Sequence, residues 1–231
     1  MAPPVPPVPP VPASGQLAGS LLALDEITRR LRRDCPWDRE QDERSIVPHT
    51  VEEAYELADA ANSGDDAKLL DELGDVLFQV YFLSLLLEER GQGDLAAVAD
   101  HCRRKLIHRH PHVFGDAEAD DAATVLRNWD QIKRTEPGRD GEEIFHDVPE
   151  NLPSLLYARK LMRRAASGSG YEHPSAEEVQ ARLRERLEAF DGSFEALGDL
   201  LFDCVALARE ARVDPELALR ASADRFRKGI E

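Results

Sequence analysis

Four carboxylates stand in two pairs at helical spacing in the N-terminal half of the chain. Glu53 and Glu56 form the first pair, and Glu72 and Asp75 form the second. Residues three apart are neighbours on a helix surface, so two such pairs on antiparallel helices can converge on one point. Hard oxygen ligands without histidine are typical of Mg²⁺ or Mn²⁺ sites and not of the di-iron arrangement that uses Glu-x-x-His.

The second acidic pair leads directly into the most apolar stretch of the chain. The segment 76–87 reads V-L-F-Q-V-Y-F-L-S-L-L-L, which predicts a central helix over 68–87 that is buried on all sides. At about 100° per residue, one narrow sector of this helix carries Lys68, Glu72, Asp75 and Gln79. Because an unpaired carboxylate is costly to bury, we expect this polar sector to face a cation, a polar cleft or another polar helix.

Other interpretations of these acids stay open from spacing alone. Acidic residues on a helix usually form a solvated face, and Thr50 with Glu53 matches a capping box that would start a helix near Thr50. A carboxylate-bridged redox protein also places acids on helices, as does a non-catalytic metal- or nucleotide-binding regulator or scaffold. The missing histidine ligands disfavour the redox interpretation.

Basic residues concentrate in the fourth and fifth predicted helices. The fourth helix ends with Arg103, Arg104, Lys105, His108, Arg109 and His110, and the fifth carries Trp129, Lys133 and Arg134. Favourable charge at a helix C-terminus explains part of this pattern. In a chain this acidic, the concentration indicates a polyphosphate site. Zinc binding by the nearby histidines and Cys102 is disfavoured, since the spacings match no structural zinc pattern.

Composition narrows the class of protein. A formal net charge of −16 disfavours a large interface with a nucleic acid polymer, which depends on many phosphate contacts from Lys and Arg. Three scattered cysteines, Cys35, Cys102 and Cys204, are typical of a reducing cytoplasm. The longest apolar run, about twelve residues, is too short to span a bilayer, and the N-terminus lacks the pattern of a signal peptide. We therefore expect a cytoplasmic protein that does not contact the membrane.

Helical periodicity throughout the chain predicts an all-α fold. The predicted helices cover 19–33, 50–61, 68 to a close at Gly91, 95–110, 122–134, 152–166, 176–190, 194–211 and 215–228. Ser175 with Glu178 forms a predicted capping box, and Asp214 is a predicted N-cap. The segments 34–38 and 110–115 are predicted as a loop and a turn.

An internal repeat indicates two related units. The sequence L-G-D-V-L-F at 73–78 returns as L-G-D-L-L-F at 197–202, which predicts two helical-bundle units in tandem. We assign 1–18 to a Pro-rich disordered tail, 19–135 to the catalytic domain, 136–150 to a linker and 151–231 to the second unit.

These motifs resemble the MazG nucleoside triphosphate pyrophosphohydrolases. The pattern Glu52-Glu53-x-x-Glu56 followed by Glu72-x-x-Asp75 is similar to the acidic signature of that family. Further similar motifs are C-P-W-D at 35–38, K-L-I-H-R-H-P-H-V-F-G at 105–115 and N-W-D-Q-I-K at 128–133. Four motifs in the same order make a specific resemblance, which covers all of the chain except the Pro-rich tail.

The resemblance implies an all-α enzyme, usually a homodimer or higher oligomer, that uses Mg²⁺ to hydrolyse an NTP or dNTP to the monophosphate and pyrophosphate. The metal, with Mn²⁺ as a substitute, would position and acidify a water for attack on the α-phosphorus. The implied metal ligands and catalytic residues are Glu53, Glu56, Glu72 and Asp75, and the implied nucleotide-binding residues are Lys68, Lys105, Arg109, Trp129 and Lys133. Glu52 is expected in an outer position behind the metal ligands. Removal of damaged nucleotides or control of a signalling nucleotide fits this chemistry.

The second unit departs from the pattern. Glu185 and Glu188 could mirror the first acidic pair, but Ala196 stands at the position equivalent to Glu72 in the repeat. We expect this unit to be degenerate and catalytically silent, with a role in packing or oligomerisation.

Overall fold

A computed structural model of the chain describes residues 14–119, 121–136, 144–146, 148–168 and 171–230. The described residues form helices and no strand, which confirms the all-α fold. The helices are α1 (Ser14–Asp34), α2 (Pro36–Glu40), α3 (Glu43–Ser63), α4 (Asp66–Glu89), α5 (Leu95–Arg109), α6 (Pro111–Phe114), α7 (Ala122–Arg134), α8 (Ser154–Gly168), α9 (Ala176–Glu188), α10 (Phe194–Glu210) and α11 (Pro215–Lys228). Most of the predicted Pro-rich tail and half of the predicted linker lie outside the described residues.

Two prolines start helices where a loop and a turn were predicted. Pro36 stands at the beginning of α2 and Pro111 at the beginning of α6. A proline fits the first helical position because its missing N–H has no partner there and its φ is already helical. The predicted irregular segments therefore each contain a short helix. The first helix also begins at Ser14, before the predicted residue 19.

The first compact unit runs from Met1 to Cys102. Helix α4 packs along α3 and against α1, and α2 packs on α1. The core of this unit consists of buried Ile46, Phe82 and Leu86, with Phe78 and Leu83 packed against them. Asp65 caps α4, since its side chain accepts hydrogen bonds from the backbone N–H groups of Ala67 and Lys68. This cap fixes the start of the helix that carries the second acidic pair.

Helix α3 begins at Glu43, well before the predicted start near Thr50. Asp42 is the N-cap: its carboxylate accepts from the Ser45 backbone N–H, and the Ser45 hydroxyl accepts from the Asp42 backbone N–H. Pro48 lies inside the helix, where its ring costs one backbone hydrogen bond. The predicted start was wrong because the helix is capped upstream of this proline and continues through it.

Helix α4 is buried on one side only, so the prediction of burial on all sides was wrong. Its buried apolar residues are Tyr81, Phe82, Leu85 and Leu86. Leu70, Leu73, Leu77 and Val80 are exposed by 74, 49, 38 and 41%. Their spacing of three and four residues places them on one face of the helix. We call these four residues the α4 stripe.

The second compact unit runs from Arg103 to Glu231. Helix α10 packs against α8, α9 and α11, while α7 and α11 pack on α8. Its core consists of Met162, Val179, Val205 and Ala206, surrounded by Leu155, Ala158, Leu183 and Leu207. The predicted capping box of Ser175 and Glu178 is confirmed, as is the Asp214 cap of α11.

The boundary between the compact units falls within α5, after Cys102. The predicted boundaries around 136–150 and the tandem arrangement rest on the sequence repeat and stay predictions. None of the described helices is both long and apolar enough to cross a bilayer.

Candidate metal and nucleotide site

Three glutamates from two helices converge in the first unit. Glu53 and Glu56 of α3 and Glu72 of α4 each offer a carboxylate oxygen, and these oxygens lie within 4.8 Å of one another. The two helices meet as an antiparallel pair because Gly64, in the left-handed conformation that favours glycine, turns the chain between them. Glu72 is only 6% exposed, Glu53 is half-buried and Glu56 is exposed. The cluster is therefore open to solvent on the Glu56 side.

The environment of the cluster disfavours negative charge. Burial raises the pKa of the Glu53 carboxyl, and repulsion from Asp75, Glu56 and Glu72 raises it further. Burial also raises the pKa of Glu72, where Glu56 and Asp75 add to the effect and Lys68 opposes it. Within the described residues, no hydrogen bond or ion pair compensates the three clustered carboxylates. A cation held between them would relieve this repulsion.

The capping interpretation of Glu53 fails in the structure. Thr50 is an interior residue of α3, and its hydroxyl lies 3.3 Å from the Ile46 carbonyl oxygen and 3.4 Å from Gln79 Oε1. Since Thr50 caps nothing, Glu53 is not the partner in a capping box. Its carboxylate is turned instead toward Glu72 on the neighbouring helix.

The remaining predicted residues of the first unit lie around the cluster. Asp75 is close enough to raise the pKa of Glu53, but its carboxylate is outside the set of three that lie within 4.8 Å. Lys68 is exposed one turn before Glu72 on α4 and lowers the pKa of that carboxyl. Glu52 points elsewhere: its carboxylate lies 3.2 Å from His49 Nδ1 on the exposed side of α3.

The other predicted nucleotide-binding residues belong to the second unit. Arg109 and Lys133 approach the Trp129 ring, with the guanidinium carbon at 4.8 Å and the ammonium nitrogen at 5.7 Å from its centroid. Arg109 is 6% exposed, and its guanidinium donates two hydrogen bonds, of 2.7 and 2.6 Å, to the Glu136 carboxylate. Lys105, one turn earlier on α5, is half-buried. The structure thus brings Arg109, Trp129 and Lys133 together.

A different charge pattern occurs between α9 and α10, the helices that contain the second copy of the repeat. Asp203, which is 3% exposed, pairs with Arg182 at 2.7 Å and with Arg186 at 3.1 Å. Arg186 also lies 2.6 Å from Asp199. Glu185 and Glu188, the predicted mirror of the first acidic pair, are both exposed. Arginine side chains of α9 therefore neutralise Asp199 and Asp203 of α10, an arrangement that the sequence interpretation missed.

Comparisons with known proteins find related sequences over most of the chain. The model of the MazG nucleotide pyrophosphohydrolase domain matches residues 41–114, which include both acidic pairs. A nucleoside triphosphate pyrophosphohydrolase of Escherichia coli K12 is 34% identical over 220 residues, covering 90% of this chain and 83% of that protein. A nucleoside triphosphate pyrophosphohydrolase/pyrophosphatase MazG of Thermotoga maritima is 37% identical over 210 residues, covering 88% and 81%. A crystal structure of a MazG-related protein from Thermotoga maritima aligns with a TM-score of 0.43 at 25% identity, covering 49% of this chain and 98% of that one.

The fold and the site define a class of all-α proteins that carry a carboxylate cluster across two antiparallel helices. The matched domain and the identity over most of the chain then identify the family. The chain belongs to the MazG family of nucleotide pyrophosphohydrolases.

Proposed function

We propose that the protein is a Mg²⁺-dependent nucleoside triphosphate pyrophosphohydrolase that converts an NTP or dNTP to the monophosphate and pyrophosphate. The observation that carries this proposal is the convergence of Glu53, Glu56 and Glu72 within 4.8 Å. The names of the relatives from Escherichia coli and Thermotoga maritima support the reaction.

The donor atoms fit a hard divalent cation. Mg²⁺ prefers oxygen ligands and usually keeps several waters, and a cluster that opens to solvent at Glu56 leaves room for them. Glu53, Glu56 and Glu72 would hold the metal. Asp75, whose charge already raises the pKa of Glu53, would be the fourth carboxylate beside it. Mn²⁺ has the same preference for carboxylate oxygen. When bound, the metal supplies neutralisation of triphosphate charge and acidification of a water.

Protein side chains position the metal ligands and supply positive charge for the phosphates. Glu72 is buried, which restricts its rotamers and keeps one ligand fixed. Lys68 provides a cation beside the cluster. By the family resemblance, nucleotide binding is also assigned to Lys105, Arg109, Trp129 and Lys133 of the second unit, three of which, Arg109, Trp129 and Lys133, lie together there. The Glu136 pair holds the Arg109 guanidinium in one orientation.

The charge pattern of α9 and α10 supports a silent second unit. A guanidinium group that lies between two acids compensates their negative charge, as a bound metal would in the first unit. Arg182 and Arg186 already compensate Asp203, and Ala196 removes the equivalent of Glu72. We assign the segment 151–231, the second unit of the sequence repeat, to packing or oligomerisation and not to hydrolysis.

The α4 stripe supports a homodimer or higher homo-oligomer. Four exposed apolar residues on one helical face, three of them leucines, are typical of a surface that packs against another helix. A second copy of the chain would cover this face. A cytoplasmic location stays a prediction from the cysteine pattern.

The proposal is tested by product analysis. The full-length protein is incubated with a panel of NTPs and dNTPs in Mg²⁺, in Mn²⁺ and with a chelator, and the products are separated. We expect monophosphate and pyrophosphate in equal amounts, no turnover with chelator, and loss of turnover in Glu72→Ala and Asp75→Ala. Release of orthophosphate, or full turnover in the folded variants, would reject the mechanism. Binding of nucleotide without turnover would favour the non-catalytic regulator.

A further inference from the structure

We propose that Gln79 of α4 binds the nucleoside part of the substrate, as a donor to a hydrogen-bond acceptor on the sugar or the base. The inference rests on the proposed function, since it extends the same site away from the metal. Gln79 belongs to the polar sector of α4 that also carries Lys68, Glu72 and Asp75. It is the one member of that sector to which the proposed hydrolysis gives no part.

Gln79 is buried, and its carboxamide contacts the neighbouring helix. The residue is 7% exposed, and its Oε1 lies 3.4 Å from the Thr50 hydroxyl of α3. That hydroxyl is the donor in the contact, since a carboxamide oxygen can only accept. The oxygen end of the Gln79 carboxamide therefore faces α3, which orients the nitrogen end away from Thr50.

The amide nitrogen of Gln79 has no hydrogen-bond acceptor among the described residues. A buried donor without a partner is costly, and nearly all buried polar groups in folded proteins have one. The nitrogen is not one of the fully enclosed polar atoms without a partner, so a ligand can reach it. Its two N–H groups are therefore available to a ligand that brings a hydrogen-bond acceptor.

The polar sector of α4 presents three kinds of side chain in order along the helix. Lys68 comes first, the carboxylates of Glu72 and Asp75 follow, and the uncharged Gln79 comes last. A nucleoside triphosphate has the same order, from its outer phosphates through the metal-bound α-phosphate to the nucleoside. At a rise of about 1.5 Å per residue, Glu72 and Gln79 are about 10 Å apart along the helix axis, a length that a sugar and base can span. This order assigns the leaving pyrophosphate to the Lys68 end and the nucleoside to the Gln79 end.

Helix α3 indicates the same direction. Thr50 precedes Glu53 by three residues and is its neighbour on the helix surface. Because α3 and α4 are antiparallel, the path from Glu53 back to Thr50 runs beside the path from Glu72 forward to Gln79. The contact between Thr50 and Gln79 therefore lies at the end of the carboxylate cluster that is opposite Lys68. All of these residues belong to the first compact unit.

A carboxamide suits a nucleoside better than a phosphate. It carries no charge and so adds little attraction for phosphate oxygens, whereas sugar oxygens, base carbonyls and ring nitrogens are neutral acceptors. A site that hydrogen-bonds a substrate group disfavours analogues that lack the group, because the buried donor then stays unpaired. Gln79 therefore favours complete nucleotides over inorganic polyphosphates.

The test compares three variants of the full-length protein with wild type, after thermal unfolding has shown that each is folded. Gln79→Met removes the hydrogen bond and keeps a side chain of similar size, and Thr50→Val removes the hydroxyl that orients the carboxamide. Ser84→Ala is the matched control. Ser84 is also a buried polar residue of α4, but its hydroxyl donates within the helix, to the Val80 carbonyl oxygen at 2.7 Å.

Calorimetry in Mg²⁺ measures the affinity for a non-hydrolysable NTP analogue and for inorganic triphosphate, which has no nucleoside. We expect Gln79→Met to bind the analogue about tenfold more weakly and Thr50→Val about threefold more weakly. Both variants should bind inorganic triphosphate as wild type does, and Ser84→Ala should bind both ligands as wild type does. In steady-state hydrolysis, Gln79→Met should raise KM about tenfold with kcat changed less than about twofold.

Ribose 5-triphosphate distinguishes the two sources of the acceptor. A loss of affinity for this compound in Gln79→Met locates the acceptor on the sugar, and a loss confined to the complete nucleotide locates it on the base. Either result supports the proposal. Unchanged affinity for the analogue in folded Gln79→Met, or an equal loss for the analogue and inorganic triphosphate, would overturn it. If Gln79→Met does not fold, Thr50→Val decides by the same two criteria.

The same measurements separate this inference from the proposed function. If wild type binds the analogue through Gln79 but releases no pyrophosphate from any NTP, the proposed function fails and this inference stands. If wild type releases pyrophosphate and Gln79→Met binds the analogue equally well, this inference fails and the proposed function stands.

Discussion

Glu53 of α3 and Glu72 of α4 bring carboxylate oxygens to within 4.8 Å of each other, although burial and the charges of neighbouring carboxylates raise the pKa of both. Folding alone does not favour such a contact, because repulsion between partly buried acids destabilises the folded state. A binding site accounts for it, since a divalent cation turns the same repulsion into attraction.

The two acidic pairs of the chain allow a matched comparison. Glu53→Gln with Glu56→Gln should lower kcat/KM at least a hundredfold, or by about 2.7 kcal/mol of transition-state stabilisation. Glu185→Gln with Glu188→Gln removes the same charges at the same spacing from exposed positions of α9 and should leave kcat/KM unchanged. Steady-state pyrophosphate release measures both. Equal losses in the two double variants would show that the second unit also takes part in hydrolysis.

The contribution of Glu53 and Glu72 to stability should fall with rising pH in the absence of metal, whereas the stabilisation by Mg²⁺ should grow. Because the pKa values of Glu53 and Glu72 are raised above the ordinary 4.5, the folded state binds protons more tightly than the unfolded state. Without metal, their contribution should therefore fall as pH rises through the window above 4.5. Mg²⁺ binds the ionised form, so the rise in Tm on adding it should grow over the same window.

Thermal unfolding at about pH 5 and about pH 7.5, each with Mg²⁺ or a chelator, measures this effect. At a metal concentration tenfold above Kd, the stabilisation at the higher pH should be about 1.4 kcal/mol. Glu72→Gln is the control and should remove most of the dependence on metal. A shift in Tm that is independent of pH, or that persists in Glu72→Gln, would place the metal elsewhere.

The arginines of α9 should stabilise the second unit without metal. Arg182→Ala with Arg186→Ala leaves Asp203 buried and unpaired, which should lower the free energy of unfolding by about 3 kcal/mol. Denaturant unfolding measures the loss, and Arg184→Ala, on the exposed face of the same helix, is the control. A double variant as stable as the control would mean that these ion pairs contribute little.

The α4 stripe should be required for assembly. Leu70→Ser with Leu77→Ser removes apolar surface without adding charge beside the acids, and we expect dissociation to monomers. Leu22→Ser, at a position of α1 that is 64% exposed, should keep the oligomer of the wild type. Sedimentation velocity distinguishes the species. A wild type that is monomeric, or a stripe variant that stays assembled, would remove this face as the interface.

Much of the fold could be predicted from local sequence. Helices α7 and α11 have the predicted bounds, because Asp121 and Asp214 cap their starts and basic residues end them. The start of α3 could not be predicted in the same way. Its cap pairs Asp42 with Ser45, a less familiar combination than Ser or Thr with Glu, and Pro48 follows within the helix.

Part of the site could also be predicted from local sequence, and part depends on contacts between distant segments. Helical spacing predicts that Glu53, Glu56 and Glu72 can meet, since each pair depends on the period of one helix. The position of Asp75 outside the closest set depends on side-chain direction, which spacing does not give. Gln79 belongs to the polar sector that the sequence predicts for α4, but only the packing of α4 along α3 brings its carboxamide to Thr50.

Direct titration of Mn²⁺ tests the account most closely, with binding followed by calorimetry and by the electron paramagnetic resonance of the free ion. Wild type in the presence of a non-hydrolysable NTP analogue should bind the metal. The triple variant Glu53→Gln, Glu56→Gln, Glu72→Gln, once shown to be folded by circular dichroism, should bind it at least a hundredfold more weakly. Equal affinity in the wild type and the triple variant would contradict the assignment of these three glutamates as the metal site.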